Sequence, residues 1–269
     1  MSLNKIGITG CTGVLGKLLN EILSKKNVNF SCFKGDIKKI QDVNRWISNN
    51  QDLEKIFHFA ALVPIYKVEN DKMNALRTNL NGTKNLINSI KKNKLKVWFF
   101  FPSSCHVYKS KKTKIKETDV LRPISYYGQT KLRAENFLLQ NKRKDIKVCI
   151  GRIFSFYHKR QKKPFLYPSI KERIKNYKKN ENFDLRGGES IRDITNAKNI
   201  VNIIYMISKL NLDGIFNIGT GKGTKIKNFV KNLTNKKLKI KTTKKRDYLV
   251  ANVNKLKKYR NINEYIKSL

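Results

Sequence analysis

The chain has 269 residues, and its 59 Lys and Arg against 19 Asp and Glu leave a formal net charge of +40. Hydrophobic residues make up 39% and aromatics 10%, enough apolar material for one large domain or two small lobes and too much for a disordered chain. No apolar stretch reaches the about 18 residues of a membrane span, and the start lacks the apolar segment of a signal peptide, so a cytoplasmic protein is expected.

In chain order, Lys5 to Thr9 reads as a buried strand and Gly13 to Lys25 as a helix with Val14, Leu15, Leu18, Leu19, Ile22 and Leu23 on one face. Val28 to Phe33 reads as a strand, Val43 to Ser48 as a helix and Lys55 to Ala60 as a strand. Met73 to Lys92 is expected as one long helix, followed by a strand of bulky residues from Val97 to Phe101. A helix over Tyr126 to Gln140 and a strand over Lys147 to Phe154 complete an alternation that predicts a parallel sheet covered on both faces. Beyond it, Tyr157 to Pro168 reads as loop, Tyr167 or Ser169 to Asn180 as helix and Leu185 to Glu189 as a turn. Lys198 to Lys209 reads as a further helix and Gly214 to Gly219 as a strand between glycines.

Charge and heteroatoms narrow the function. A cationic chain invites a nucleic-acid reading, because phosphate contacts release counterions. Here the lysines spread through every segment in pairs such as Lys25-Lys26, Lys91-Lys92 and Lys178-Lys179, without the about five or six consecutive like charges of an interaction tail. Lys, Asn, Ile, Phe and Tyr also share A/T-rich codons, so the excess reads as a solvated surface rather than a binding patch. The four cysteines, Cys11, Cys32, Cys105 and Cys149, form no Cys-x-x-Cys and suggest neither a zinc site nor a disulfide framework. His58, His106 and His158 show no metal-ligand spacing, so no metal is expected.

Between the first strand and the first helix lies Gly10-Cys11-Thr12-Gly13-Val14-Leu15-Gly16. Glycines at such positions permit a tight turn, the approach of a diphosphate and close helix packing, while the helix N-terminus favours an anion. This loop is expected to bind a dinucleotide. Further on, Tyr127 and Lys131 stand four apart at the start of a helix and share a face. An ammonium beside a phenol favours the phenolate, which suits an acid/base for carbonyl–alcohol interconversion.

With its Gly-x-x-Gly-x-x-Gly spacing and the run Pro123-Ile124-Ser125-Tyr126-Tyr127-Gly128-Gln129-Thr130-Lys131-Leu132-Arg133-Ala134-Glu135, the chain resembles the extended short-chain dehydrogenases/reductases that modify nucleotide-sugars. His58-Phe59-Ala60-Ala61, Asn79-Leu80-Asn81-Gly82-Thr83, Arg152 to Tyr157, Arg160-Gln161, Arg192-Asp193 and Phe216 to Gly219 extend the likeness. The resemblance implies a Rossmann-like doubly wound α/β sheet, residues 1–155 with 189–218 returning to it. It also implies a small α/β substrate-binding lobe from residues 156–188 and 219–269. It implies Ser104, Tyr127 and Lys131 as catalytic residues, with Lys131 also lowering the tyrosine pKa. Gly10 to Gly16, Lys34, Asp36, Ile37, Ala60, Ala61 and Asn79, with Tyr127 and Lys131, would hold the cofactor. Ser103 (also the fallback for Ser104), Ser155, Arg160 and Arg192 would meet the substrate, Arg192 at its diphosphate.

The implied activity is an NAD(P)-dependent reduction of a 4-keto nucleotide-sugar, with NAD-dependent 4-epimerisation as the alternative enzyme and RNA binding as the alternative class. Lys34, where the adenosine ribose is read, tilts the cofactor towards NADP over NAD. A homodimer is usual for such proteins. Two departures matter. The family's 4,6-dehydratases carry an Asp-Glu pair where this chain has Cys105 and His106, which argues against dehydration and leaves those two as pocket lining. The family's Asn and Gly-Pro in the substrate loop are here Ser155 and His158-Lys159.

Overall fold

The strands pair as their apolar patterns require. A computed structural model describes residues 5–179, 181–243 and 246–269. β1 (Lys5–Thr9), β2 (Phe30–Cys32), β3 (Leu53–His58), β4 (Val97–Ser104), β5 (Ile146–Ile153) and β6 (Gly214–Ile218) form one parallel sheet in the order β2-β1-β3-β4-β5-β6. This is the Rossmann-like architecture expected. β4 is buried along its whole length, and its side chains alternate between two cores. Trp98 and Phe100 join the core beneath α1 (Val14–Lys25) and an eighth helix described below, whereas Val97, Phe99 and Phe101 join the opposite one. A strand sandwiched by helices has no polar face, which is why this one reads as a continuous aromatic run.

The opposite core is covered by α2 (Ile40–Ser48), through Val43, Trp46 and Ile47. Short helices α3 (Ile65–Asn70) and α4 (Lys72–Leu76) lead through a π-helical turn, Arg77–Asn81, into α5 (Gly82–Lys92). The single helix expected from Met73 to Lys92 is therefore interrupted. The wide turn carries Asn79 inward, where its amide donates to Leu62 O at 3.0 Å and Thr130 Oγ1 at 3.1 Å and its oxygen accepts from Leu62 N at 2.7 Å.

α6 (Tyr126–Gln140) begins at a Ser125 cap, whose hydroxyl accepts from Gly128 N. α7 (Leu166–Lys175) starts within the stretch read as loop, with Pro168 in its first turn, where no intrahelical donor is needed. The end of the expected helix at Asn180 lies outside the described residues. α8 (Ala197–Lys209) starts at an Asn196 cap and packs against α1, with five buried Ile and Val side chains and Ala197 at its start.

β4 runs three residues further than expected, through Pro102 to Ser104. The last β3 partner is Phe57 opposite Phe100, so Pro102 lies where β5 alone flanks the strand. A residue without an N–H is tolerated there. β2 is shorter than expected because only β1 supports this edge strand.

After β5 the chain builds three small sheets. Ser155–Tyr157 pairs with Ile194–Asn196, Phe183–Leu185 with Ile240–Thr242, and Ile191–Arg192 lies between Thr224–Lys225 and Tyr248–Leu249. Ile170, Ile174, Phe183, Leu185 and Val230 form their own apolar cluster there. Leu249 to Ile266 instead returns to the core beneath α1 and α8.

One expectation is overturned outright. Cys11 and Cys32 are joined by a disulfide, with their Cα atoms 6.0 Å apart. Their separation of 21 residues hides the fact that the loop after β1 lies beside the end of its neighbour β2. Cys105 and Cys149 are free and buried. Among the described residues no helix is long and apolar enough to cross a membrane, and no cluster of His, Cys, Asp or Glu could hold a metal.

Candidate active site

In an open α/β sheet, ligands bind beyond the carboxyl ends of the strands, where the strand order reverses. Here that point lies between β1 and β3. Gly10 ends β1 at φ +72°, and a Cβ on it would come within 2.6 Å of Ala60 N. A Cβ on Gly16 would run into the Gly10 carbonyl oxygen. Glycine is therefore required at both positions. Thr12 and Gly13 are exposed, and the first turn of α1 has no side-chain cap. The turn thus presents uncapped backbone N–H groups to solvent, as a diphosphate site must. These residues fit a dinucleotide.

The far side of this cradle is rigid. His58 bridges Thr9 Oγ1 (Nδ1, 2.7 Å) and Thr83 Oγ1 (Nε2, 3.0 Å), and Ala60 N donates to Thr9 Oγ1. Burial pushes the His58 imidazole down to about 3, with Lys131 adding to the shift, so it is neutral. Ala60 and Ala61 are half-buried beside the glycine turn, and Val14 and Leu15 pack below it. Past β2, Lys34 is exposed. The Asp36 carboxylate accepts from Lys38 N at 3.0 Å, and Ile37 packs against Gly82. Asn79 has its side chain occupied by Leu62 and Thr130, which makes it a brace between the β3 loop and α6.

At the end of β4, Ser104 is 6% exposed and Tyr127 on α6 is 7% exposed. The Ser104 hydroxyl lies close enough to the phenol to favour its ionised form. Ser104 Oγ also accepts from His106 N at 3.2 Å. Burial, aided by the neighbouring Cys105, raises the phenol of Tyr127 above its ordinary value, and the Ser104 hydroxyl only partly offsets this. Lys131 Nζ donates to Pro102 O at 2.9 Å and lies 4.7 Å from the centre of the Phe101 ring. Burial pushes its ammonium down to about 7, against the pull of Glu135. The expected depression of the tyrosine by Lys131 is absent from this arrangement, in which the amine is turned onto a backbone carbonyl.

Adjacent residues on a strand face opposite sides. Ser103 accordingly points away from Ser104 and donates to Glu135 inside the core, which removes it from the substrate pocket and as the fallback for Ser104. His106 meets the Tyr127 ring edge-on, with centroids 6.1 Å apart, and faces Arg192 and Asp247. Its imidazole is lowered by burial and then by Arg192. Cys105 is sealed behind it, its thiol pushed up to about 12 by burial.

Arg192 is half-buried near His106, and its Nη2 donates to Asp247 Oδ2 at 2.5 Å. Arg160 does not join it, being paired with Glu21 on α1 instead. Ser155 is half-buried in the short strand beside Ile194. The fold therefore gathers Ser104, Tyr127, Lys131, His106 and Arg192 and sends Ser103 and Arg160 elsewhere. Asp247 and Glu135 were not singled out as site residues. Glu135 was within reach of a helical argument, lying four residues beyond Lys131, but nothing in its spacing pairs Asp247 with Arg192.

Residues 9–267 match the family model described as GDP-mannose 4,6 dehydratase. The chain is 26% identical over 245 residues to a Bacillus subtilis protein named as an uncharacterized UDP-glucose epimerase, YtcB, covering 80% of this chain and 76% of that one. Its fold superposes on RMD from Pseudomonas aeruginosa complexed with NADPH, at TM-score 0.85 and 18% identity, over 98% of this chain and 96% of that one. It also superposes on MoeE5 in complex with UDP-glucuronic acid and NAD, at TM-score 0.80 and 21% identity, over 98% and 93% of the two chains.

Proposed function

Because this chain belongs to the GDP-mannose 4,6-dehydratase family of extended short-chain dehydrogenases/reductases, we propose that it reduces a 4-keto nucleotide-sugar with a nicotinamide cofactor. The observation that carries the reading is the buried Ser104–Tyr127 hydroxyl pair at the end of β4, with Lys131 one turn further along α6. A nicotinamide dinucleotide, when bound, supplies the hydride. The glycine turn and the N-terminus of α1 would hold its diphosphate, and Lys34 and Asp36 would border its adenosine ribose.

Tyr127 donates its phenolic proton to the sugar oxygen as hydride arrives at the carbon. Burial keeps the phenol protonated, so the proton is in place, but it also weakens the acid, so proton donation needs a positive charge beside Tyr127 to bring it down. Ser104 holds the same oxygen and fixes its distance from Tyr127. Lys131, one turn along α6 from Tyr127, would hold the nicotinamide ribose. Arg192 exchanges Asp247 for the substrate diphosphate, to which a guanidinium can offer two parallel donors. Water elimination is disfavoured because Cys105 and His106 provide no carboxyl pair.

The B. subtilis relative's name favours a second reading, 4-epimerisation, in which the same residues first remove and then return the proton. Purified protein is to be incubated with a 4-keto-6-deoxy nucleotide-sugar and NADPH or NADH. The reductase consumes reduced nicotinamide stoichiometrically, and Tyr127→Phe lowers turnover by about 10²–10⁴-fold. Retained NAD, with a UDP-hexose interconverted at no net redox change, would replace the reductase with the epimerase.

A further inference from the structure

The Cys11–Cys32 bridge has no part in the chemistry above, yet it lies within the cofactor cradle. Cys11 is the second residue of the glycine turn, and Cys32 ends β2, two residues before Lys34. The bridge therefore ties together the two backbone segments between which the adenosine half of a dinucleotide lies. We propose that Cys11 and Cys32 are a reversible thiol–disulfide modification site that sets dinucleotide affinity, the bridged form binding tightly and the dithiol form weakly. The proposal rests on the reading of this loop as the dinucleotide site.

Three observations support it. The glycine turn is packed at Gly10 and Gly16 but exposed between them, at Thr12 and Gly13. Gly13 N donates to Gly10 O at 3.0 Å, and α1 starts without a side-chain cap. A cross-link to β2 pre-orders such a turn, and pre-ordering strengthens binding by removing an entropic cost.

Both redox states also have partners. Cys11 Sγ lies 3.3 Å from Ile8 O, and Cys32 Sγ lies 4.0 Å from Asn20 Oδ1 and 3.6 Å from Asn20 Nδ2. When the bridge opens, the Cys11 thiol donates to Ile8 O and the Cys32 thiol to the Asn20 oxygen. Neither sulfur is then stranded in an apolar site, so the reduced form is an alternative arrangement of the same fold.

Finally, access separates this pair from the other cysteines. Cys11 and Cys32 are half-buried, whereas Cys105 and Cys149 are sealed, with burial raising both thiols. Reactivity follows access and thiolate character.

The step is a thiol–disulfide exchange with a small dithiol. One reductant thiolate attacks a sulfur of the bridge, breaking the Cys11–Cys32 bond and forming a mixed disulfide. The second reductant thiol displaces it, leaving the reductant as a cyclic disulfide and the protein with two thiols. Two electrons and two protons pass from reductant to protein, and an oxidised dithiol reverses the exchange.

The full chain is to be equilibrated with reduced or with oxidised dithiothreitol, and titrated calorimetrically with NAD and NADP in each state. Mass spectrometry after native alkylation reports the bridge, as two more alkylated cysteines in the reduced sample. Dinucleotide is expected to bind about tenfold more weakly to the dithiol form, as loss of pre-ordering predicts. The Cys11→Ser/Cys32→Ser variant should bind as the reduced chain does and ignore the redox state. Equal affinity in both states overturns the proposal, as does an alkylation count that does not change. Binding in neither state overturns the dinucleotide reading together with it. The comparison of the two unmutated forms needs no variant to fold.

Discussion

Glu135 and Arg152 form a bidentate ion pair sealed from solvent, at 1% and 2% exposure. Arg152 Nε lies 3.1 Å from both carboxylate oxygens and Nη2 lies 2.7 Å from Oε2. Ser103 donates to the same carboxylate, and Arg152 Nη1 reaches Tyr108 Oη at 2.9 Å and Glu117 O at 3.0 Å. Tyr108 in turn donates to Asn217 Oδ1 at 2.6 Å. This network joins β4, α6, β5 and β6 directly below Ser104 and one turn beyond Lys131, so Ser104 and Tyr127 stand on a cross-braced floor.

Removing one partner of a buried ion pair strands the other charge. Glu135→Gln keeps the side-chain shape and leaves the Arg152 guanidinium uncompensated, so a loss of about 3–5 kcal/mol is expected in urea unfolding. Replacing both residues together, with Glu135→Leu and Arg152→Met, should cost less than the single change. A Glu135→Gln protein as stable as the parent would show that the pair does not hold the floor.

Lys131 gives the fold a pH signature. Its folded pKa of about 7 lies below its unfolded value of about 10.4, so the unfolded chain binds more protons between the two. Stability from this group therefore rises with pH across that window, by at most about 1.4 kcal/mol per pH unit. Lys131→Met lacks the dependence. Between pH 7 and 9 the parent should gain stability relative to the variant, as read from urea midpoints. Parallel profiles would mean that Lys131 stays charged in the fold.

The cofactor preference is tested at Lys34. Exposed beyond β2, its ammonium is available to a 2′-phosphate, and Lys34→Asp would replace attraction with repulsion. The NADP dissociation constant is expected to rise about tenfold and that of NAD to change little, since only NADP carries the extra charge. An unaltered preference removes Lys34 from adenosine recognition.

Arg192 should affect substrate rather than cofactor. Charge-assisted hydrogen bonds contribute about 1.5–3 kcal/mol, so Arg192→Ala is expected to raise KM for the nucleotide-sugar by about 10–100-fold. Dinucleotide binding should be unaffected in the same preparation. Should NAD(P) binding weaken in parallel, Arg192 would be acting on the fold as a whole through Asp247.

Much of this was legible locally. The glycine turn, the alternating strands and helices, and the Tyr127–Lys131 spacing each depend on neighbours within a few residues, where backbone sterics and helical period decide the outcome. Where a feature depended on a distant partner, local pattern misled. The helix from Met73 to Lys92 reads as continuous because its apolar period barely notices one wide turn, and that turn exists to bring Asn79 to Leu62 and Thr130. Arg160 carries a guanidinium suited to phosphate, but Glu21 on α1 takes it.

The amino-acid order by itself determined the parallel α/β architecture, the dinucleotide-type turn after β1 and a hydroxyl–phenol–amine set suited to carbonyl chemistry. Only the tertiary structure decided which of Ser103 and Ser104 faces Tyr127, that Lys131 rests on Pro102 O, and that Cys11 bonds to Cys32. Strand parity sets the first, because one residue's shift reverses the face. The other two arise from contacts between segments far apart in sequence, which parallel pairing brings together and no local period encodes.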